Sequence, residues 1–129
     1  MRSLLFVVLG LVTGAMGATF AWSALHQGTP FHRGVMTVMQ HHMGVLRANV
    51  RAGQCDAKAS ADRFVRMRAT AGDVREAFPE MDAAFYTEAQ RLDMALDRAV
   101  ADAPGTCAAL TAALAPVGDA CQSCHRQYR

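Results

Sequence analysis

The sequence lacks isoleucine, contains a single lysine, and has no long run of like charges. Beyond residue 30 no stretch alternates apolar and polar residues for long, so the period typical of β-strands is missing. Alanine, arginine and methionine abound there, and all three favour helices. The 13 basic and 11 acidic residues are mixed along the chain, which argues against a nucleic-acid surface. We therefore expect an all-α protein with no nucleic-acid partner.

Charge is also missing from residues 4–25, an apolar segment of 22 residues that follows Arg2. Small residues at Ala15 and Gly17 are typical of a cleaved signal peptide with its cut after Gly17. The same segment is long enough to anchor the chain in a membrane, and Trp22 suits its interfacial end. Both interpretations are open, and cleavage is preferred. Both interpretations divide the chain into a signal or anchor segment, residues 1–27, and a single domain, residues 28–129, which we expect in the periplasm.

Four breaks that contain glycine or proline delimit four amphipathic segments of that domain. The segments predict helices over residues 30–51, 57–77, 81–102 and 106–128. Short connections favour an up-down-up-down antiparallel four-helix bundle. In that topology the first helix begins, and the last helix ends, at the same end of the bundle.

The apolar stripes of these helices predict the core. The first helix has a stripe of His32, Met36, Met39, Met43, Leu46 and Val50, with Phe31, Val35, Val38, His42 and Val45 beside it. In the last helix both Cys121 and Cys124 fall on the buried stripe. Pro116, inside that helix, is expected to kink it one turn earlier.

The last helix ends in Cys121-Gln122-Ser123-Cys124-His125, the spacing that attaches a c-type haem. Two thiols one turn apart can form thioethers with one porphyrin edge, and His125 can ligate the iron. A thioredoxin-like pair would instead open a helix after a strand. A zinc site would need two further ligands, but Cys55 and Cys107 are predicted at the opposite end. We predict one covalently attached haem c, and a disulfide between Cys55 and Cys107.

With these features in place, the chain resembles the cytochrome c-prime family, the class II cytochromes c. The resemblance rests on VGDACQSCHRQYR at residues 117–129 and HRGVMTVMQHHMGVLRANVRAG at residues 32–53. It implies a haem attached near the end of a four-helix bundle, contacted by Arg129 and by either Arg33 or His32. High-spin members leave the sixth iron position open, whereas low-spin members fill it with a methionine, which here corresponds to Met36.

Several alternatives to Met36 stay open at this point. Met39, one turn further along, is a rival ligand, and His32 would give bis-histidine iron. The pair His41 and His42 could suggest copper, but adjacent helical residues point about 100° apart, so we expect a solvated His41 and a partly buried His42.

The expected function is that of an electron carrier rather than an enzyme, because no acid–base pair or activated nucleophile accompanies the motif. Its partners would be redox proteins of the periplasm or the membrane. If Met36 does not ligate, a five-coordinate iron would bind nitric oxide or carbon monoxide instead. A third alternative is a structural or metal-handling bundle without haem. It would require the Cys-x-x-Cys-His spacing to have arisen by chance. Whether two bundles pair into a homodimer is not decided by the sequence.

Overall fold

The computed structural model describes residues 2–26 and 30–128, and it describes side chains for residues 6–23 and 30–128. Within these ranges the secondary structure is helical, with no strand. The helices are α1 (Arg2–His26), α2 (Phe31–Ala52), α3 (Ala57–Gly72), α4 (Val74–Ala77), α5 (Ala83–Asp102) and α6 (Cys107–Gln127). The chain divides into two compact units, Met1–Pro30 and Phe31–Arg129.

The first unit is the apolar helix α1. Its segment Phe6–Ser23 is long and apolar enough to cross a membrane by length and composition, a test that a signal sequence near the N-terminus also passes. The described side chains of this segment are exposed.

The second unit is a four-helix bundle, as predicted. Helix α2 packs against α3 and α6, and α5 packs against the same two helices, so the four long helices close a ring. The prediction of one continuous helix over residues 57–77 was wrong, because the chain breaks at Asp73 between α3 and α4. The backbone N–H of Asp73 donates to Thr70 and Ala71 carbonyls, which closes the last turn of α3. Pro79 ends α4, since a residue before proline disfavours helical geometry.

Side-chain caps fix where three of the long helices begin. Asp56, Asp82 and Thr106 each accept a hydrogen bond from the backbone N–H three residues later, at 2.8, 2.8 and 3.2 Å. Such caps satisfy N–H groups that have no partner inside the helix. Gly53 ends α2 with a positive φ of 69°, which glycine adopts without steric cost. These polar residues therefore set the lengths and the ends of the bundle.

The main core draws on all four long helices, and its most buried members include Leu46, Phe64, Leu96, Leu110 and Val117. Burying each such side chain contributes roughly 1.5–3 kcal/mol. The predicted stripe of the first helix is correct for Met39, Met43 and Leu46 but too wide: His32, Phe31 and Val38 are exposed. These side chains lie on the part of the α2 surface that α3 and α6 do not cover.

The end opposite the haem motif is closed by a disulfide between Cys55 and Cys107, whose Cα atoms are 5.1 Å apart. It links the turn after α2 to the first turn of α6, as predicted. Helix α6 then continues through Pro116 as one element to Gln127. The remaining two cysteines are free and lie near the other end of this helix.

Candidate cofactor site at the end of the bundle

The free thiols belong to Cys121 and Cys124, one turn apart on α6, and both side chains are half-buried. Cys121 packs against the main core, whereas Cys124 packs against a second apolar cluster. Burial raises the pKa of both thiols, and nearby Glu88 adds to the rise at Cys124. Both cysteines of the motif therefore face the inside of the bundle, as the sequence predicts.

The second cluster, here called the end cluster, consists of buried Val35, Val74 and Phe85 with partly buried Met36, Ala77, Phe78, Met81, Tyr86, Ala89, Cys124 and Tyr128. Phe85 is its centre: its ring centroid lies 5.2 Å from those of Phe78 and Tyr128 and 5.5 Å from that of Tyr86. Aromatic and thioether side chains thus surround the thiol of Cys124 with apolar material.

Met36 is half-buried in the end cluster, so it shares an apolar environment with Cys124 across two helices. Met39 is 7% exposed and belongs to the main core, against which Cys121 packs. Met36 and Met39 therefore each belong to an apolar cluster against which one cysteine of the motif packs. Met36 has the looser packing of the two, since Met39 is enclosed by core side chains.

The other predicted site residues lie at the surface. His125 is exposed in the last turn of α6, and Arg33 is exposed in the first turn of α2. Arg33 makes no ion pair within the part of the chain that is described. His32 is also exposed, with its ring centroid 5.6 Å from that of Phe78. Arg129, the other arginine assigned to the haem, lies outside the described residues.

Two charged residues near the motif were not anticipated. Glu88 is 9% exposed on α5; its Oε1 accepts a hydrogen bond of 2.8 Å from Arg91, and its Oε2 has no partner among the described residues. Glu88 follows Phe85 by three positions, so its place on the buried stripe was the available signal. Arg47 of α2 lies over Gly118 of α6, where an added Cβ would come within 3.2 Å of its Nη2.

Tyr128 joins the end of α6 to the start of α5. Its hydroxyl donates to Asp82 Oδ1 over 2.9 Å, while its backbone N–H donates to the carbonyl of Cys124. Burial and the hydrogen bond to Asp82 raise the pKa of Tyr128 to about 12. The backbone N–H of Phe85 and the Tyr128 hydroxyl lower the pKa of Asp82. The segment after the motif is thereby fixed to a neighbouring helix.

In the described part of the chain, the histidine pair of α2 makes its polar contact with α3 rather than with the motif. His41 is exposed and His42 is buried, as predicted, and Arg63 Nη1 lies 3.1 Å from His42 Nδ1. Burial and the charge of Arg63 lower the pKa of His42. Within the described ranges, no three His, Cys, Asp or Glu side chains are grouped to hold a metal ion.

The donor set fits a covalently attached haem. Two thiols lie on one face of α6, an imidazole follows them directly, and a thioether on α2 shares the apolar cluster of the second thiol. Apolar surroundings suit a porphyrin ring, and the unpaired Oε2 of Glu88 is a polar atom near Cys124.

Comparison with solved structures identifies the fold. A crystal structure of cytochrome c′ from Rubrivivax gelatinosus, at 1.3 Å resolution, superposes with a TM-score of 0.64 and 24% sequence identity. The match covers 74% of this chain and 88% of that chain. No protein-family model and no curated protein sequence matches. The chain therefore has the four-helix fold of cytochrome c′, in agreement with the resemblance carried by its two terminal motifs.

Proposed function

We propose that this chain is an exported c-type cytochrome that carries one electron at a single haem c. Cys121 and Cys124 would hold the haem through thioethers, and His125 and Met36 would bind its iron. The observation that carries the proposal is the end cluster, in which Met36 of α2 and Cys124 of α6 pack on the same apolar side chains. The fold of cytochrome c′ supports it.

A bound haem supplies a reversible one-electron couple. The protein's own residues decide how that couple is used. With an imidazole and a thioether as ligands, no position remains for a substrate, and the ligands change little between oxidation states. A thioether ligand and apolar surroundings both favour the reduced iron relative to bis-histidine ligation. The residues at this site thus suit electron transfer rather than turnover of a substrate.

Export is part of the same proposal. Haem attachment at the motif and the Cys55–Cys107 disulfide both suit an oxidising compartment outside the cytoplasm. The apolar helix α1 is the candidate export signal or anchor. We place the domain in the periplasm, where redox proteins of that compartment or of the membrane would exchange electrons with it.

Absorption spectra of the haem-loaded protein test the ligand assignment. We expect sharp low-spin bands in both oxidation states, and we expect Met36→Ala to convert them to the broad bands of high-spin iron. Met39→Ala is the matched control on the same helix. It should keep the low-spin spectrum while lowering the free energy of unfolding by about 2–5 kcal/mol, since Met39 is buried in the main core.

The other outcomes are equally distinct. A high-spin spectrum in the unaltered protein would contradict the carrier and favour the binding of nitric oxide or carbon monoxide at an open position. Loss of the low-spin bands in Met39→Ala alone would move the ligand to Met39. If the protein contains no haem after expression with c-type maturation factors, the Cys-x-x-Cys-His spacing does not serve haem attachment.

A further inference from the structure

A groove runs along the outside of the bundle between α5 and α6. It encloses about 440 Å³. Its apolar lining consists of the buried residues Ala95 and Ala120 and the exposed residues Pro116 and Met94, the last with 55% of its surface exposed. Its walls are polar: Arg91, Arg98, Asp119, Ser123 and Arg126. An exposed methionine beside three guanidinium groups differs from an ordinary solvated helix face.

One end of the groove is the haem motif itself. Ser123 lies between Cys121 and Cys124, and Arg126 directly follows His125. From Pro116 to Arg126 the groove follows α6 for ten residues, or roughly 15 Å at 1.5 Å per residue. A molecule seated along it would therefore touch the segment that holds the cofactor.

The charges of the groove favour a negatively charged occupant. Arg91 is partly neutralised by Glu88, 2.8 Å away. Arg98 and Arg126 have no ion-pair partner in the described part of the chain, and Asp119 is the acidic side chain of the lining. The lining therefore carries more positive than negative charge, and its free guanidinium groups can pair bidentately with carboxylates.

From this placement, and resting on the proposed electron-carrier function, we propose that the α5–α6 groove is the docking surface for an acidic redox protein. Carboxylates of the partner pair with Arg98 and Arg126, and an apolar side chain contacts Met94. In the encounter one electron leaves the haem iron, which is oxidised from Fe(II) to Fe(III), and reduces the partner's metal by one unit. No bond forms or breaks. Small, charge-steered contacts suit such brief encounters.

The test uses a small acidic copper protein, plastocyanin with its acidic patch, as the probe. Stopped-flow mixing of the reduced, haem-loaded full chain with oxidised plastocyanin follows the conversion of Cu(II) to Cu(I). We expect the second-order rate constant to fall with rising ionic strength. Arg98→Glu should lower it by roughly 3- to 10-fold at low ionic strength, with the difference vanishing at high ionic strength.

Arg66→Glu is the matched control. Arg66 is an exposed arginine in the middle of α3, away from the groove, and the substitution changes the net charge equally. It should leave the rate near that of the unaltered protein. Equal slowing by the two variants would mean that net charge alone acts, and no slowing by Arg98→Glu would mean that the groove is not used. Either result overturns the proposal.

A second measurement locates the surface directly. Hexacyanochromate(III), a paramagnetic trianion, should broaden the backbone amide signals of Ala95 and Ser123 before those of α3, and Arg98→Glu should weaken this effect. Broadening centred elsewhere would overturn the proposal. The absorption spectrum reports the iron ligands separately. If the spectrum is low-spin but Arg98→Glu and Arg66→Glu react at the same rate, only the proposed docking surface is refuted. If the spectrum is high-spin but the two variants react at different rates, only the assignment of Met36 as a ligand is refuted.

Discussion

At the scale of single residues, Asp82 connects the start of α5 to the end of α6. Its carboxylate accepts the backbone N–H of Phe85 and the hydroxyl of Tyr128. Both bonds favour the ionised carboxylate, so the pKa of Asp82 is lowered in the folded protein. A carboxyl group whose pKa falls on folding stabilises the fold above its unfolded pKa, near 3.9, and loses that contribution as the pH falls through the folded value.

We therefore expect Asp82→Ala to lower the thermal midpoint at pH 7 and to have a smaller effect at pH 2, because a falling pH removes the contribution of the ionised carboxylate. Tyr128→Phe should reproduce part of the loss at pH 7, because it keeps the ring contact with Phe85 and removes the hydroxyl. Calorimetry of the haem-loaded protein from pH 7 to pH 2 provides the measurement.

Asp62→Ala is the control for Asp82, since Asp62 is an exposed carboxylate paired only with Lys58 one turn away. Exposed pairs of this kind contribute little. If the Asp82→Ala difference in thermal midpoint stayed constant across the whole pH range, the carboxylate would not be the group that stabilises this end of the bundle.

At the scale of elements, the two ends of α6 are held in different ways. The motif end rests on the end cluster and on Tyr128, whereas the first turn is tied covalently to the turn after α2 through Cys55 and Cys107. The disulfide closes a sequence separation of 52 residues that includes α3, α4 and α5. Cross-linking so long a segment restricts the unfolded chain and so favours the folded state.

Replacing both residues, Cys55→Ala with Cys107→Ala, should lower the free energy of unfolding by about 2–4 kcal/mol in urea titration of the haem-loaded protein. Gln54→Ala with Thr111→Ala, exposed positions in the same two segments, should change it little. The haem spectrum should stay the same, because the disulfide and the motif occupy opposite ends of α6. Two reactive thiols in denatured, unreduced haem protein would contradict the disulfide.

At the scale of the whole molecule, the bundle could be predicted because each long helix carries a 3.6-residue apolar stripe between strong breaks. Which residues meet at each end of the bundle could be predicted from the up-down topology. That topology places the start of α2 beside the end of α6, and Cys55 beside Cys107. The break at Asp73 escaped prediction because residues 57–77 contain no proline and their only glycine is tolerated inside a helical pattern.

The site could be predicted only in part, for a related reason. Sequence spacing predicts a site at Cys121, Cys124 and His125, which lie within five successive positions of one helix. Met36 and Met39 lie one turn apart on another helix, so choosing between them depends on how α2 and α6 pack, which no periodicity encodes. The same holds for Arg47 over Gly118 and for the closeness of Glu88 to Cys124, because each of these pairs lies across two helices.

The N-terminal segment bears on where this molecule acts, and its fate can be measured. When the full chain is produced in a bacterium with c-type maturation factors, we expect the soluble periplasmic haem protein to have the mass of residues 18–129 plus one haem.

Signal peptidase requires small side chains at the positions that Ala15 and Gly17 occupy. Ala15→Phe should therefore block the cut and retain the haem protein in the membrane fraction. Gly10→Ala, a substitution further from the cut, should be processed normally. A wild-type protein that keeps residues 1–17 and sediments with the membrane would instead make this segment an anchor, and electron exchange would then be confined to partners at the membrane surface.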